Sequence, residues 1–199
     1  MSQILELLMG SLGGDTRRQI GQVLGADEGQ TEQATGAALT TILGALQRNA
    51  SKPDGAAALN RALEKDHDGS ILDNLGGFLG NASQGPGEGI LKHVLGDRRQ
   101  QVERNLGRST GMDSGKAGSL LTMLAPVVMG ALGKQQRRTG MNASALAGFL
   151  GQETQAMEQK QPGATGLVGK LLDTDGDGDF DTGDMLKHGA GLLGKFFKR

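Results

Sequence analysis

Residues 120–132 read Leu120-Leu-Thr-Met-Leu-Ala-Pro126-Val-Val-Met-Gly-Ala-Leu132, the longest strongly apolar run in the chain. A bilayer-spanning helix needs about 20 such residues, so the run is too short to cross a membrane. It fits a buried helix made of small and flexible side chains, with Pro126 predicting a kink or restart because it removes one backbone donor. Other stretches carry apolar residues at helical spacing, and none alternates as a strand would. The fold class read from the sequence is therefore all-α.

Working toward the N-terminus, Ile4, Leu5, Leu8, Met9 and Leu12 share one helical face. Gly13-Gly14 is expected to end that helix, with Asp15 as N-cap of a second one that Gly25 closes. A long helix is predicted over residues 28–48, its stripe formed by Leu39, Ile42, Leu43 and Leu46. Ser51-Lys-Pro53-Asp54-Gly55 reads as a turn before a helix over 56–66. Ser70 with Asp73 resembles a capping box at the start of a helix over 71–79. The stretch 81–89 is a linker, and a last body helix is predicted over 142–157.

The segments on either side of the linker look alike. QIGQVLG at 19–25 echoes QVERNLG at 101–107, TILGALQRNA from Thr41 echoes VVMGALGKQQ from Val127, and ALNRAL from Ala58 echoes ALAGFL from Ala145. The spacing predicts a domain over 1–160 built from two repeats, about 1–80 and 88–158, as a pseudo-symmetric helical bundle. Gln161-Pro162-Gly163 marks the boundary to a separate module over 163–199.

Composition removes several classes of function. Aromatic residues make up 3% of the chain and all are Phe, which argues against stacking platforms for single-stranded nucleic acid. The net charge is −1 with no dominant basic face, so no nucleic-acid partner is expected. Cysteine is absent, which rules out disulfides, thiolate chemistry and Cys-ligated metals. The N-terminus lacks a basic region followed by an apolar one, so a cytoplasmic protein is expected. The 35 glycines follow no collagen period; together with Ala they allow close helix approach.

The strongest chemical signal lies at 173–184: Asp173-Thr-Asp175-Gly-Asp177-Gly178-Asp179-Phe180-Asp181-Thr-Gly-Asp184. Counted from Asp173, aspartates occupy positions 1, 3, 5, 7, 9 and 12, with glycine at 6. Calcium is a hard cation that takes six to eight oxygens at about 2.3–2.6 Å, and a twelve-residue loop supplies them from these positions when a glycine at 6 allows the sharp turn. Asp179 at position 7 would contribute its backbone carbonyl. Apolar flanks at 164–172 and 184–197 can form entering and exiting helices. An acidic, disordered tail is the plainer reading, but such a tail needs neither that glycine nor those flanks. Asp184 stands where Glu is usual, and its shorter arm predicts weaker calcium binding and tolerance of magnesium.

Other candidates are weaker. Asp66, Asp68, Ser70 and Asp73 could form a partial cation site, although capping and a turn account for them more simply. His67, His93 and His188 have no evident zinc or catalytic partners at useful spacing. The basic, apolar end Gly194-Lys-Phe-Phe-Lys-Arg199 could touch an anionic membrane, yet a packed helix end explains it better.

The stretches His67-Asp-Gly-Ser-Ile-Leu-Asp-Asn-Leu75, Gly89-Ile-Leu-Lys-His-Val-Leu-Gly96 and Leu121–Gly133 resemble those of a bacterial domain-of-unknown-function family, the one catalogued as number 937, over about residues 1–155. The resemblance implies a helical bacterial protein without established catalytic activity, and it supplies no functional residues. Residues 164–197 resemble EF-hand and dockerin-type loops, which implies a metal site at Asp173, Asp175, Asp177, Asp179, Asp181 and Asp184. The expected function is non-enzymatic calcium binding that orders the C-terminal helix–loop–helix and modulates self-association or partner binding. The alternative is a structural or assembly protein whose oligomers do not depend on calcium.

Overall fold

The computed structural model describes residues 2–82 and 85–160. In order they form α1 (Gln3–Ser11), α2 (Gly14–Leu24), α3 (Glu28–Ala50), α4 (Pro53–Asp66), a 3-10 turn over Ser70–Asn74, α5 (Leu75–Leu79), α6 (Gly87–Leu95), a 3-10 turn over Gly96–Arg98, α7 (Arg99–Thr110), α8 (Ser114–Thr139) and α9 (Ala143–Lys160). No strand occurs among the described residues, and the protein is all-α.

The apolar run sits in the middle of α8, and every residue from Leu120 to Gly133 is buried. A helix with no polar face cannot lie at a surface, so its neighbours must enclose it. They do: α3, α6 and α7 pack on it most extensively, and α1, α2 and α4 complete the coat. Among the described residues α8 alone could cross a membrane by length and composition, but 83% of that window is buried within the protein. Asp113 caps its start by accepting from the Gly115 amide at 2.8 Å, and Gly140 closes it in the left-handed conformation, φ 67°.

Of the kink or restart expected at Pro126, the restart does not occur. α8 runs through it without interruption. The proline leaves the carbonyl of Thr122, four residues earlier, without its helical donor. Gly87 at the start of α6 packs directly on that carbonyl, so closely that a side chain at 87 would overlap it. A Cα–H contact offsets part of the lost hydrogen bond, and α6 gains a close approach that an intact ladder would not favour.

The long stripe of α3 is buried as expected at Leu39, Ile42, Leu43 and Leu46. Burial of each such side chain contributes about 1.5–3 kcal/mol. Three local expectations are corrected. Gly13, not Asp15, is the N-cap of α2, and Asp15 falls in the first turn, where it pairs with Arg18. Helix α4 begins at Pro53 rather than after Gly55, because a proline at the first helical position needs no amide donor. Ser70 does not cap a helix: its amide and hydroxyl both donate to Asp68 Oδ1, at 2.9 and 2.6 Å. The chain there forms a 3-10 turn, and Asn74 caps α5 instead by accepting from Gly77.

Helix α9 packs on α3 and α4 and closes a seam with α1. Glu153, only 5% exposed, accepts three hydrogen bonds from the first residues of that helix: Ser2 Oγ at 2.5 Å, the Gln3 amide at 3.1 Å and the Ile4 amide at 2.9 Å. The buried carboxylate is thus satisfied by the orphan donors of a helix start.

Two substitutions in helix interiors should act with opposite sign. At Gly133 a methyl group would overlap the backbone carbonyl of His67, which cannot rotate away; Gly133→Ala should lose at least about 2 kcal/mol. At Gly148, exposed and with open space around it, Gly148→Ala should gain about 0.5–1 kcal/mol. Glu153→Ala, which strips an acceptor from three donors at once, should cost about 2 kcal/mol or more. Urea denaturation of the three variants beside wild type measures all of these.

Candidate functional site

The loop aspartates Asp173, Asp175, Asp177, Asp179, Asp181 and Asp184 lie outside the described residues. Among the described residues, no group of three or more His, Asp or Glu side chains is gathered as a metal site. Asp66, Asp68 and Asp73 are accordingly not brought together as a ligand set. Asp68 is engaged by Ser70, and those hydrogen bonds hold its carboxyl below the usual range. Asp73 instead faces Lys134, with Nζ at 3.6 Å. His67 is half-buried; desolvation lowers its pKa, with Asp66 and Asp68 opposing. His93 Nδ1 lies 2.9 Å from the Gly89 carbonyl, and no hydroxyl hydrogen-bonds a histidine ring among the described residues.

Two concavities stand out among the described residues. The first is a polar cleft of about 650 Å³, lined from α2, α5, α6, α7 and α8. Arg99 dominates it. Its guanidinium forms a two-pronged ion pair with Glu88 and a 2.7 Å bond from Nε to Glu103. The pairing raises the Arg99 pKa and lowers that of Glu88. Thr122 Oγ1 donates to the Gly118 carbonyl and Ser119 Oγ to the Gly115 carbonyl. Lys116 Nζ donates to the Gly25 carbonyl at 2.7 Å. The charged groups of this cleft therefore bond one another or the backbone, tying α6 to α7 and the end of α2 to α8. Sequence reasoning missed the Arg99 network. Its only local trace is the four-residue spacing of Arg99 and Glu103 on one helix face.

The second is an apolar groove of about 830 Å³ between α4 and α6. Leu46 of α3 and Met129 of α8 line its floor with Leu59. The α4 wall is low, made of Gly55, Ala58 and Ala62, and the α6 wall is formed by Ile90 and Val94. Lys52, just before α4, stands at one end, and Asp66, its last residue, at the other. Asn49 Nδ2 donates to the Val94 carbonyl at 3.0 Å and fixes the end of α6 on α3. No sequence signal marked this groove, because its floor and walls come from four helices far apart in the chain.

No curated protein and no solved structure matches the chain. A family model described as "Bacterial protein of unknown function (DUF937)" matches residues 6–135, from within α1 almost to the end of α8 and well over half of the chain. The chain belongs to this bacterial family, DUF937.

Proposed function

We propose that this is a non-enzymatic calcium-binding protein, in which the ion is held by the loop at 173–184 and orders the helix–loop–helix that follows the helical body. The observation that carries the reading is the ligand spacing: Asp173, Asp175 and Asp177 at positions 1, 3 and 5, Gly178 at 6, Asp181 at 9 and Asp184 at 12. Asp179 supplies its backbone carbonyl at position 7. Six carboxylates within twelve residues repel one another, and a divalent cation removes that repulsion, so binding and local ordering are linked. Asp184 reaches less far than Glu, which favours a weaker site that also accepts magnesium. Ordering of the module then modulates self-association or the binding of a partner.

We further propose that the body is an internal duplication in which α1–α4 correspond to α6–α9. Several paired features support it. The two series run through helices of 9, 11, 23 and 14 residues and then 9, 12, 26 and 18. Gly25 and Gly111 both end their helices in the left-handed conformation, and Asp27 and Asp113 cap the long helices that follow, a register of 86 residues that lies one helical turn from the 19–25 with 101–107 alignment of the sequence. A reciprocal pair of contacts joins the halves: Gln30 Nε2 donates to the Gly111 carbonyl and Lys116 Nζ to the Gly25 carbonyl, both at 2.7 Å. Residues 30 and 116 occupy the same place in the third helix of each series, as an approximate two-fold axis requires.

Titration calorimetry tests the calcium reading. Wild type should show saturable calcium binding with Kd of about 10 μM or weaker, with magnesium competing. The double variant Asp173→Ala, Asp184→Ala should show none. Equal heats in the two proteins would remove the proposal.

A further inference from the structure

We propose that the groove between α4 and α6 is the seat of this chain's own C-terminal segment, residues 185–197. The groove needs an apolar occupant about as long as α4. From Lys52 to Asp66 the wall advances by fourteen residues, about 21 Å at helical rise. The tail offers a match in length and in pattern. As a helix, Met185, Leu186, Gly189, Ala190, Leu192, Leu193, Phe196 and Phe197 share one face, with Lys187, His188, Lys195 and Lys198 on the other. Large side chains on that face suit walls built from Gly55, Ala58 and Ala62.

Charge fixes the direction. The groove carries Lys52 at one end and Asp66 at the other. The tail carries Asp184 before its apolar face and Lys198 and Arg199 after it, again fourteen residues apart. Laid parallel to α4, the tail puts the acidic loop, net negative even with one divalent cation bound, beside Lys52 and Lys198 beside Asp66. Laid the other way, it faces like charges at both ends.

The tether allows it. Helix α9 lies along α4, so the chain leaves the body at Lys160 from a helix next to the groove wall. The 24 residues of 161–184 are enough to reach either end, since even a random coil of that length spans about 25 Å. A tethered segment acts at an effective concentration of about millimolar, which favours it over the tail of a second copy. The duplication proposed above gives one further reason. It makes the α1–α9 seam the counterpart of the α6–α4 groove, and aligning ALNRAL with ALAGFL makes Asp66 the counterpart of Glu153. Glu153 is satisfied by the start of α1, whereas Asp66 accepts no hydrogen bond among the described residues and is open to a cationic partner.

The test uses the full-length chain, which has no cysteine of its own. Ala62→Cys with Leu193→Cys should close an intramolecular disulfide under mild oxidation at least about tenfold faster than the reversed-register pair Ala62→Cys with Gly189→Cys, or than the remote pair Val23→Cys with Leu193→Cys. Non-reducing gels and mass spectrometry read the rates and the products. In a second variant, Ala58→Glu, tryptic cleavage at Lys187 and Lys195 should quicken by about tenfold with helical content unchanged. The proposal fails if the first pair closes no faster than the remote pair, if its product is a disulfide-linked dimer, or if Ala58→Glu is folded and cleaved at the wild-type rate. Calorimetry reads the loop and the cross-link reads the groove, so loss of calcium binding with the cross-link intact would remove the calcium reading alone.

Discussion

The whole body depends on the need to cover α8. From Leu120 to Gly133 this helix has no side that tolerates water, and about four turns of it must be enclosed. One long neighbour cannot do so, because a helix packed on another covers only one stripe. The chain therefore surrounds α8 with several one-sided helices, each burying its own apolar face in the same act. The small residues of α8 matter as much as its large ones. At Gly130 and Gly133 the 67–71 turn reaches the helix backbone, and at Thr122 the start of α6 does so because Pro126 has released a carbonyl. A core with few aromatic rings reaches close packing by bringing backbones together, since it lacks bulky side chains to fill wider gaps.

The same packing explains where charged groups tie helix ends together. Glu153 and the Arg99 network both sit where helix ends meet the coat around α8. Each carboxylate there has its acceptor capacity taken up, Glu153 by the first donors of α1 and the Glu88–Glu103 pair by one guanidinium. Leaving Glu153 unpaired in its buried seam would cost more than the pairing gains, whereas the Arg99 network lines an open cleft with Glu88 largely exposed. These interactions fix which helix end meets which, a choice that apolar contacts alone leave open.

Much of this was legible in the chain. The apolar stripe of α3, the left-handed glycine after α2 and the start of α9 after Asn142 follow from periodicity and cap chemistry acting over four residues or fewer. The errors also have local causes. Pro53 was read as part of a turn when its fixed φ suits the first turn of a helix. Ser70 was assigned to a cap, but Asp68, two residues earlier, competes for its hydroxyl. At Pro126 the lost donor is legible, but the partner packed on the freed carbonyl, Gly87, is distant in sequence. The groove and Glu153 left no local trace, since both exist only once helices from opposite ends of the chain are side by side. The calcium ligands present the opposite case: their spacing is wholly local, so the sequence carries that reading by itself.

Seen this way, body and tail are complementary in composition. The body holds only two of the five phenylalanines, Phe78 and Phe149, and leaves few large apolar side chains exposed. The tail holds Phe196 and Phe197 on a face too short to form a core of its own. A solitary helix of about thirteen residues is marginal in water and needs a surface to fold against. In the proposed module the loop carboxylates repel one another until a cation gathers them, and that ordering sets where the following helix begins. On the readings proposed here, a cation at the loop and a hydrophobic seat on the body act on one equilibrium. The ion contributes only as far as it binds the seated form more tightly than the free one. A loose, magnesium-tolerant loop would then suit a latch set by the ambient divalent-ion level better than a switch thrown by a brief calcium signal.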